Sequence, residues 1–239
     1  MNSIAQLIWP CTPNGHEVMT SYQEQMIQSW RTNSMAWTNA VRHQQIESRR
    51  LVTDSAIMAE ISRLQPNTLL DVGCGEGWLC RAVAAQGIVA VGIDGSPELI
   101  NRAQALGGEF YVGYYKTLPH SGRYFDVIVC NFSLLEEELD AVMQQMKAML
   151  TRQGSLLIQT VHSQAIGIDQ TEGWLVEHFS GFGAGFSAPM PWYFRRQQAW
   201  IELLARNGFA IDRILEPVHP ASEKPLSALL ICQLDKPMV

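Results

Sequence analysis

Three glycines at alternate positions, Gly73, Gly75 and Gly77, follow the acidic Asp71 in LLDVGCGEGW, residues 69–78. Glycine admits positive φ and lets a ligand approach the main chain closely. The segment WLCRAVAAQG that follows reads as a helix closed by Gly87. Strand, glycine turn and helix N-terminus together present backbone N–H groups and a helix dipole to a small polar or anionic group. The pattern is DxGxGxG, and Trp78 stands at the sixth position of the GxGxxG run that seats a dinucleotide pyrophosphate. A pyrophosphate ligand is therefore disfavoured. Asp94, 23 residues beyond Asp71, closes a second apolar run, where a carboxylate can accept two charge-assisted hydrogen bonds from a ribose diol. The alternative is that Asp94 only caps the following helix.

Other chemistries find less support. The six histidines (16, 43, 120, 162, 178, 219) show no HxxxH or HxH spacing, so no metal site is expected. The five cysteines, Cys11, Cys74, Cys80, Cys130 and Cys232, are odd in number without a CxxC pair, and free thiols in a reducing compartment are expected.

The elements that must position these residues alternate in type. Apolar runs at 68–72, 88–93, 109–112, 125–130, 155–160, 209–216 and 226–233 read as seven strands. Helical patterns lie between them, one begun by Ser96 as N-cap with Pro97 in its first turn and one carrying Leu139, Val142, Met143, Met146 and Leu150 on a single face. A last helix is expected over about 191–207. The arrangement implies an α/β, doubly wound, mostly parallel sheet with ligands at its carboxyl edge and the last pair of strands antiparallel. Residues 1–65 read as an irregular arm (about 1–20) and a helical cap of two or three helices; 66–239 form the core. The glycine- and aromatic-rich stretch at about 161–190 is an insertion and not a linker, because linkers are not so aromatic.

The chain of 239 residues is 47% apolar and 17% charged, enough for one domain core. A net charge of −6 and a pI near 5.5 count against a broad basic face for nucleic acid. No secretory leader and no run of about eighteen apolar residues is seen, so a cytoplasmic protein without membrane partners is expected. Oligomeric state is not legible.

Residues 69–157 resemble the class I S-adenosylmethionine-dependent methyltransferases of small-molecule type. The resemblance rests on LLDVGCGEGW, VGIDGSPELI, FDVIVCNFSLL and LTRQGSLLIQT. It implies the Rossmann-like methyltransferase fold and S-adenosylmethionine as cofactor, leaving S-adenosylhomocysteine as product. Asp71, Gly73, Cys74, Gly75 and Gly77 would then contact the methionine part, Asp94 the ribose, Gly95 and Ser96 the adenine edge, with Asn131 and Phe132 under the sulfonium. Trp78, Tyr114 and Tyr115 join this set. Tyr114 stands where the family often has an acidic adenine contact, so a backbone carbonyl or aromatic stacking would replace it. Arg49, or its neighbour Arg50, would pair with the cofactor carboxylate.

Methyl transfer from a sulfonium asks mainly for alignment of the nucleophile. A general base matters only for a hydroxyl or protonated nitrogen, and His162, just after the fifth strand, is the first candidate. Trp30, Trp37, Arg42, His178, Trp192 and Tyr193 are expected to bind a small, partly apolar acceptor, although core packing would equally explain the aromatics. An RNA-modifying methyltransferase and a catalytically inactive cofactor-binding module are the alternatives. The N-terminal helices and the insertion are expected to close together over the acceptor.

Overall fold

The computed structural model describes residues 21–118, 122–167 and 171–235; the arm expected at residues 1–20, with Cys11, lies outside them, as does His120. Helix α1 (Tyr22–Arg42) comes first, capped by a reciprocal Ser21–Glu24 box. It is followed by a π-helical turn, Arg49–Thr53, which runs directly into α2 (Asp54–Leu64). The expected break near residue 32 is absent. Asn33 and Ser34, expected to open a second helix, are buried within α1, where the Asn33 side chain bonds Ala188 and Ser187 of the insertion.

The chain then alternates: β1 (Thr68–Val72), α3 (Trp78–Ala84), β2 (Val89–Asp94), α4 (Pro97–Gln104), β3 (Glu109–Val112), β4 (Phe125–Asn131), α5 (Asp140–Met149), β5 (Leu150–Val161). After a short helix α6 (Ser163–Ile166) come β6 (Gly173–Glu177), β7 (Met190–Phe194), α7 (Gln197–Arg206), β8 (Phe209–Leu215) and β9 (Ser227–Leu234). Seven strands form one sheet in the order β3-β2-β1-β4-β5-β9-β8. Its first five strands are parallel, and β9 is antiparallel to both β5 and β8. Side chains alternate faces as strand geometry requires. Leu70, Ile128 and Leu156 pack with α5 and α7 residues on one side; Leu69, Val127 and Leu157 pack with α2 and α3 on the other.

The insertion differs from expectation. β6 and β7 form a separate antiparallel hairpin, and residues 191–194, assigned from sequence to the start of a helix, belong to its second strand; α7 starts only at Gln197. Pro191 lacks the N–H that a helix interior needs but is tolerated in this edge hairpin. The hairpin joins α1 in a third apolar cluster above the carboxyl edge, with Met26, Leu175, Phe179, Trp192 and Phe194 buried in it. Among the described residues no helix is long and apolar enough to cross a membrane. Cys74, Cys80, Cys130 and Cys232 are buried free thiols.

Candidate functional site

The glycine loop leaves β1 and is bound to the end of β2 by hydrogen bonds from Gly73 and Cys74 N–H to the Ile93 carbonyl at 2.7 and 3.0 Å. Its three glycines do different things. At Gly73 (φ +81°) a Cβ would lie 2.2 Å from Ser133 Cβ, and at Gly77 (φ +82°) 2.6 Å from the Phe110 ring, so these two allow the loop to pack on protein. Gly75 (φ +57°) lines a cavity, and a Cβ there would meet only the Trp37 ring, 3.3 Å from its nitrogen. Gly75 therefore has the ligand-facing part, whereas Gly77 lines neither of the two cavities described below.

Asp94 joins the loop to α4. Its Oδ2 accepts from Gly75 N–H at 2.9 Å and its Oδ1 from Ser96 N–H at 2.8 Å. Burial raises its carboxyl above the usual range, and those two N–H groups pull it back. The helix cap is Ser96, whose hydroxyl accepts from Leu99 N–H, so capping does not account for Asp94. A cavity opens beside Asp94, lined also by Gly95, Ser96, Tyr114, Tyr115 and Leu118. A Cβ on Gly95 would meet the Tyr114 ring at 3.4 Å, which puts an aromatic wall where an acidic residue was looked for.

A second cavity shares Trp30, Trp37, Gly73, Gly75, Asn131 and Phe132 with the first, making one continuous trough along the carboxyl edge. Arg49, Asp71, Cys74 and Trp78 line this second part. The Arg49 Nε donates to Asp54 at 2.9 Å, its guanidinium lies 4.7 Å from the Trp78 ring centroid, and its buried Nη2 has no partner. Asp71 Oδ1 and Asn131 Oδ1 are likewise buried without partners. Burial, then the Asp94 charge, push the Asp71 carboxyl up to about 7 against the pull of Arg49 and Cys80. Phe132 lies at φ +53°, rare for an aromatic residue. Arg50 faces a separate cleft and lines neither part of the trough.

Above the second cavity stand Trp30 and Trp37, edge to face at 5.1 Å, with Phe179, Phe182, Met190 and Trp192. Four expected acceptor or catalytic residues lie outside the trough, three of them one position away from a residue that lines it. Val161 points in, so His162 points out: its Nδ1 accepts from Gln164 N–H at 3.2 Å and its Nε2 lies 3.4 Å from Glu216. Trp192 is inward, and Tyr193 is outward against Trp174. Glu177 is inward and His178 is exposed. The fourth, Arg42, is bound to Glu76 at 2.6 Å and to the Arg102 carbonyl at 3.0 Å.

Sequence reasoning missed several contributors. Glu76, 1% exposed, sits between Arg42 and Arg81 and so ties the cap helix to the glycine loop. Ser133 holds the Val72 carbonyl through its hydroxyl at 2.5 Å. Gln159 donates to the Thr53 carbonyl at 3.0 Å, while its Oε1 and the Thr53 hydroxyl have no partner; both residues line the second cavity. Thr53 and Arg49 both lie on the π turn, and such turns collect at functional sites.

A family model described as methyltransferase domain matches residues 14–214. The chain is 26% identical over 171 residues to an uncharacterized methyltransferase of Schizosaccharomyces pombe, covering 66% of this chain and 65% of that one. It is 30% identical over 152 residues to the ubiquinone biosynthesis O-methyltransferase of Haemophilus ducreyi, covering 58% and 61%. These alignments span less than two thirds of either relative's length. In fold, the structure is similar to an S-adenosylmethionine dependent methyltransferase from Mesorhizobium loti, with a TM-score of 0.58 at 21% identity over 73% of this chain and 95% of that one.

Proposed function

The chain belongs to the methyltransferase-domain family, and we propose that it binds S-adenosylmethionine along the trough and transfers the methyl group to a small, partly apolar acceptor. The observation that carries this reading is the set of unsatisfied polar atoms in one trough. A buried guanidinium nitrogen of Arg49 lacks an acceptor, and Oδ1 of Asp71 and Oδ1 of Asn131 lack donors. Those needs match the carboxylate and ammonium of an amino acid, and Asp94 lies in the adjoining cavity at the position expected for a ribose. Buried polar groups left unpaired are costly, so a ligand that pairs them binds with the energy their burial otherwise loses.

When bound, the cofactor supplies a methyl group activated on a sulfonium. The residues of this chain bind, orient and exclude water. Arg49 is held by Asp54 and Trp78 in one orientation, so little entropy is lost when it pairs with a carboxylate. Gly75 keeps the loop open to the ligand, Tyr114 offers a face to the adenine, and Phe132 and Asn131 line the junction of the two cavities. The aromatic walls from α1 and the hairpin keep water from the acceptor, and in this reading alignment is the main source of rate. The relative named for ubiquinone biosynthesis supports a small-molecule acceptor.

Thermal unfolding tests the reading. S-adenosylhomocysteine should raise the melting temperature by mass action and NAD should not. Equal stabilisation by NAD, or none by either, would overturn it.

A further inference from the structure

The acceptor end of the trough holds one carboxyl group that the patterning of its own hairpin does not explain. Alternate residues of β6 and β7 share a face, and on the cavity side Leu175 pairs with Trp192 and Glu177 with Met190. Leu175, Met190 and Trp192 are buried in one apolar cluster, so strand periodicity calls for an apolar residue at 177. Glu177 lines the cavity instead. It accepts a hydrogen bond from Phe179 N–H at 2.5 Å, and no Lys or Arg among the described residues is within ion-pair distance of it. Burial raises its carboxyl above the usual range, opposed by Phe179 N–H and by the exposed His178. Arg49, a cation that also lines this cavity, pairs with Asp54 through its Nε and makes no ion pair with Glu177.

Aromatic faces and a carboxylate without a Lys or Arg partner have one ligand chemistry in common. A cation carrying an apolar body gains from the ring quadrupoles and neutralises the half-buried charge. A neutral hydroxyl could donate one hydrogen bond but would leave the charge in place. We propose that the cavity binds an arylalkyl amine as its ammonium ion, with Glu177 as counter-ion and Trp30, Trp37, Phe182 and Trp192 enclosing the hydrocarbon. Calling that amine the methyl acceptor rests on the function proposed above; the binding site itself does not.

The test uses three probes of matched shape: benzylamine, benzyl alcohol and toluene. Each is titrated at pH 7 into the full chain, with and without S-adenosylhomocysteine, and followed by tryptophan fluorescence, which the tryptophans lining the cavity should report. The expected result is that benzylamine binds about tenfold more tightly than either neutral probe, and that Glu177→Gln, which keeps the shape and the acceptor for Phe179 N–H, removes this preference while toluene binding is unchanged. Binding of benzyl alcohol or toluene as tight as that of benzylamine, or a preference that survives Glu177→Gln, would overturn the proposal. Stabilisation of both proteins by S-adenosylhomocysteine without any amine preference would refute this inference alone. An amine preference without such stabilisation would instead refute the cofactor reading.

Discussion

Replacing Asp94 with asparagine leaves one oxygen where two are in use. In the structure each carboxylate oxygen accepts a different N–H, Gly75 at 2.9 Å and Ser96 at 2.8 Å. Asparagine can accept from one of them and must turn its NH2 toward the other, so a buried donor loses its acceptor at a cost of about 1–3 kcal/mol. Removing the charge works in the opposite direction, because burial already disfavours the ionised form of Asp94. The net loss should be about 1–2 kcal/mol, which for a chain of this size lowers the melting temperature by about 2–8 °C. The same substitution weakens the charge-assisted bonds expected to a ribose, about 1.5–3 kcal/mol, or roughly ten- to 150-fold in the dissociation constant of S-adenosylhomocysteine. Calorimetry measures both, by scanning for the first quantity and by titration for the second. A drop in melting temperature with affinity unchanged within about twofold would place the ribose elsewhere. An unchanged melting temperature would show that the carboxylate does not hold the loop.

Two further predictions concern β1 and the glycine loop that leaves it. Gly73→Ala should destabilise far more than Gly75→Ala: its Cβ would meet Ser133 Cβ at 2.2 Å, whereas at Gly75 the nearest atom is 3.3 Å away, leaving mainly the left-handed backbone cost of about 1–2 kcal/mol. Gly75→Ala should instead weaken S-adenosylhomocysteine, and denaturant unfolding combined with titration would expose the reverse order. Asp71 governs pH dependence: with its folded pKa raised to about 7 from 3.8, the folded state holds a proton that the unfolded chain releases. Its stabilising effect is complete below the unfolded value and is lost as pH rises through about 7. Asp94 shifts in the same direction. The ligand-free protein should therefore unfold more easily at pH 8 than at pH 5, and Asp71→Asn should flatten that slope; equal slopes in the two proteins would count against a protonated Asp71.

Much of this architecture is legible in the sequence because the central strands β1 and β4 are buried on both faces and so read as continuous apolar runs. The runs at 68–72 and 125–130 reappear as β1 and β4 within a residue. The hairpin is not legible, since Pro191 sits inside MPWYF and both Trp192 and Tyr193 are aromatic, so no alternation marks which faces inward. That ambiguity is also why Trp192 and Tyr193 were both expected in the site, where only Trp192 of the two lines it. Two helices were expected where α1 is continuous; asparagine competes for backbone bonds in a free helix, but here the Asn33 side chain is occupied by the Ala188 carbonyl at 2.6 Å, a partner 155 positions away. Asp94 was expected from its place at the end of the second strand and Arg49, or its neighbour Arg50, from the family resemblance; Asp94 and Arg49 line the trough and Arg50 does not. Ser133, Gln159 and Thr53 had no such marker, and only the tertiary fold brings them to the trough.

A crystal structure of the chain with S-adenosylhomocysteine tests the central claim most directly. The account predicts the ligand carboxylate on Arg49 Nη2, its amino group within hydrogen-bond distance of Asp71 or Asn131, both ribose hydroxyls on Asp94, and the sulfur facing the cavity walled by Trp37 and Trp192. A ligand seated away from the glycine loop, or a reversed pose with the adenine against Arg49, would contradict it.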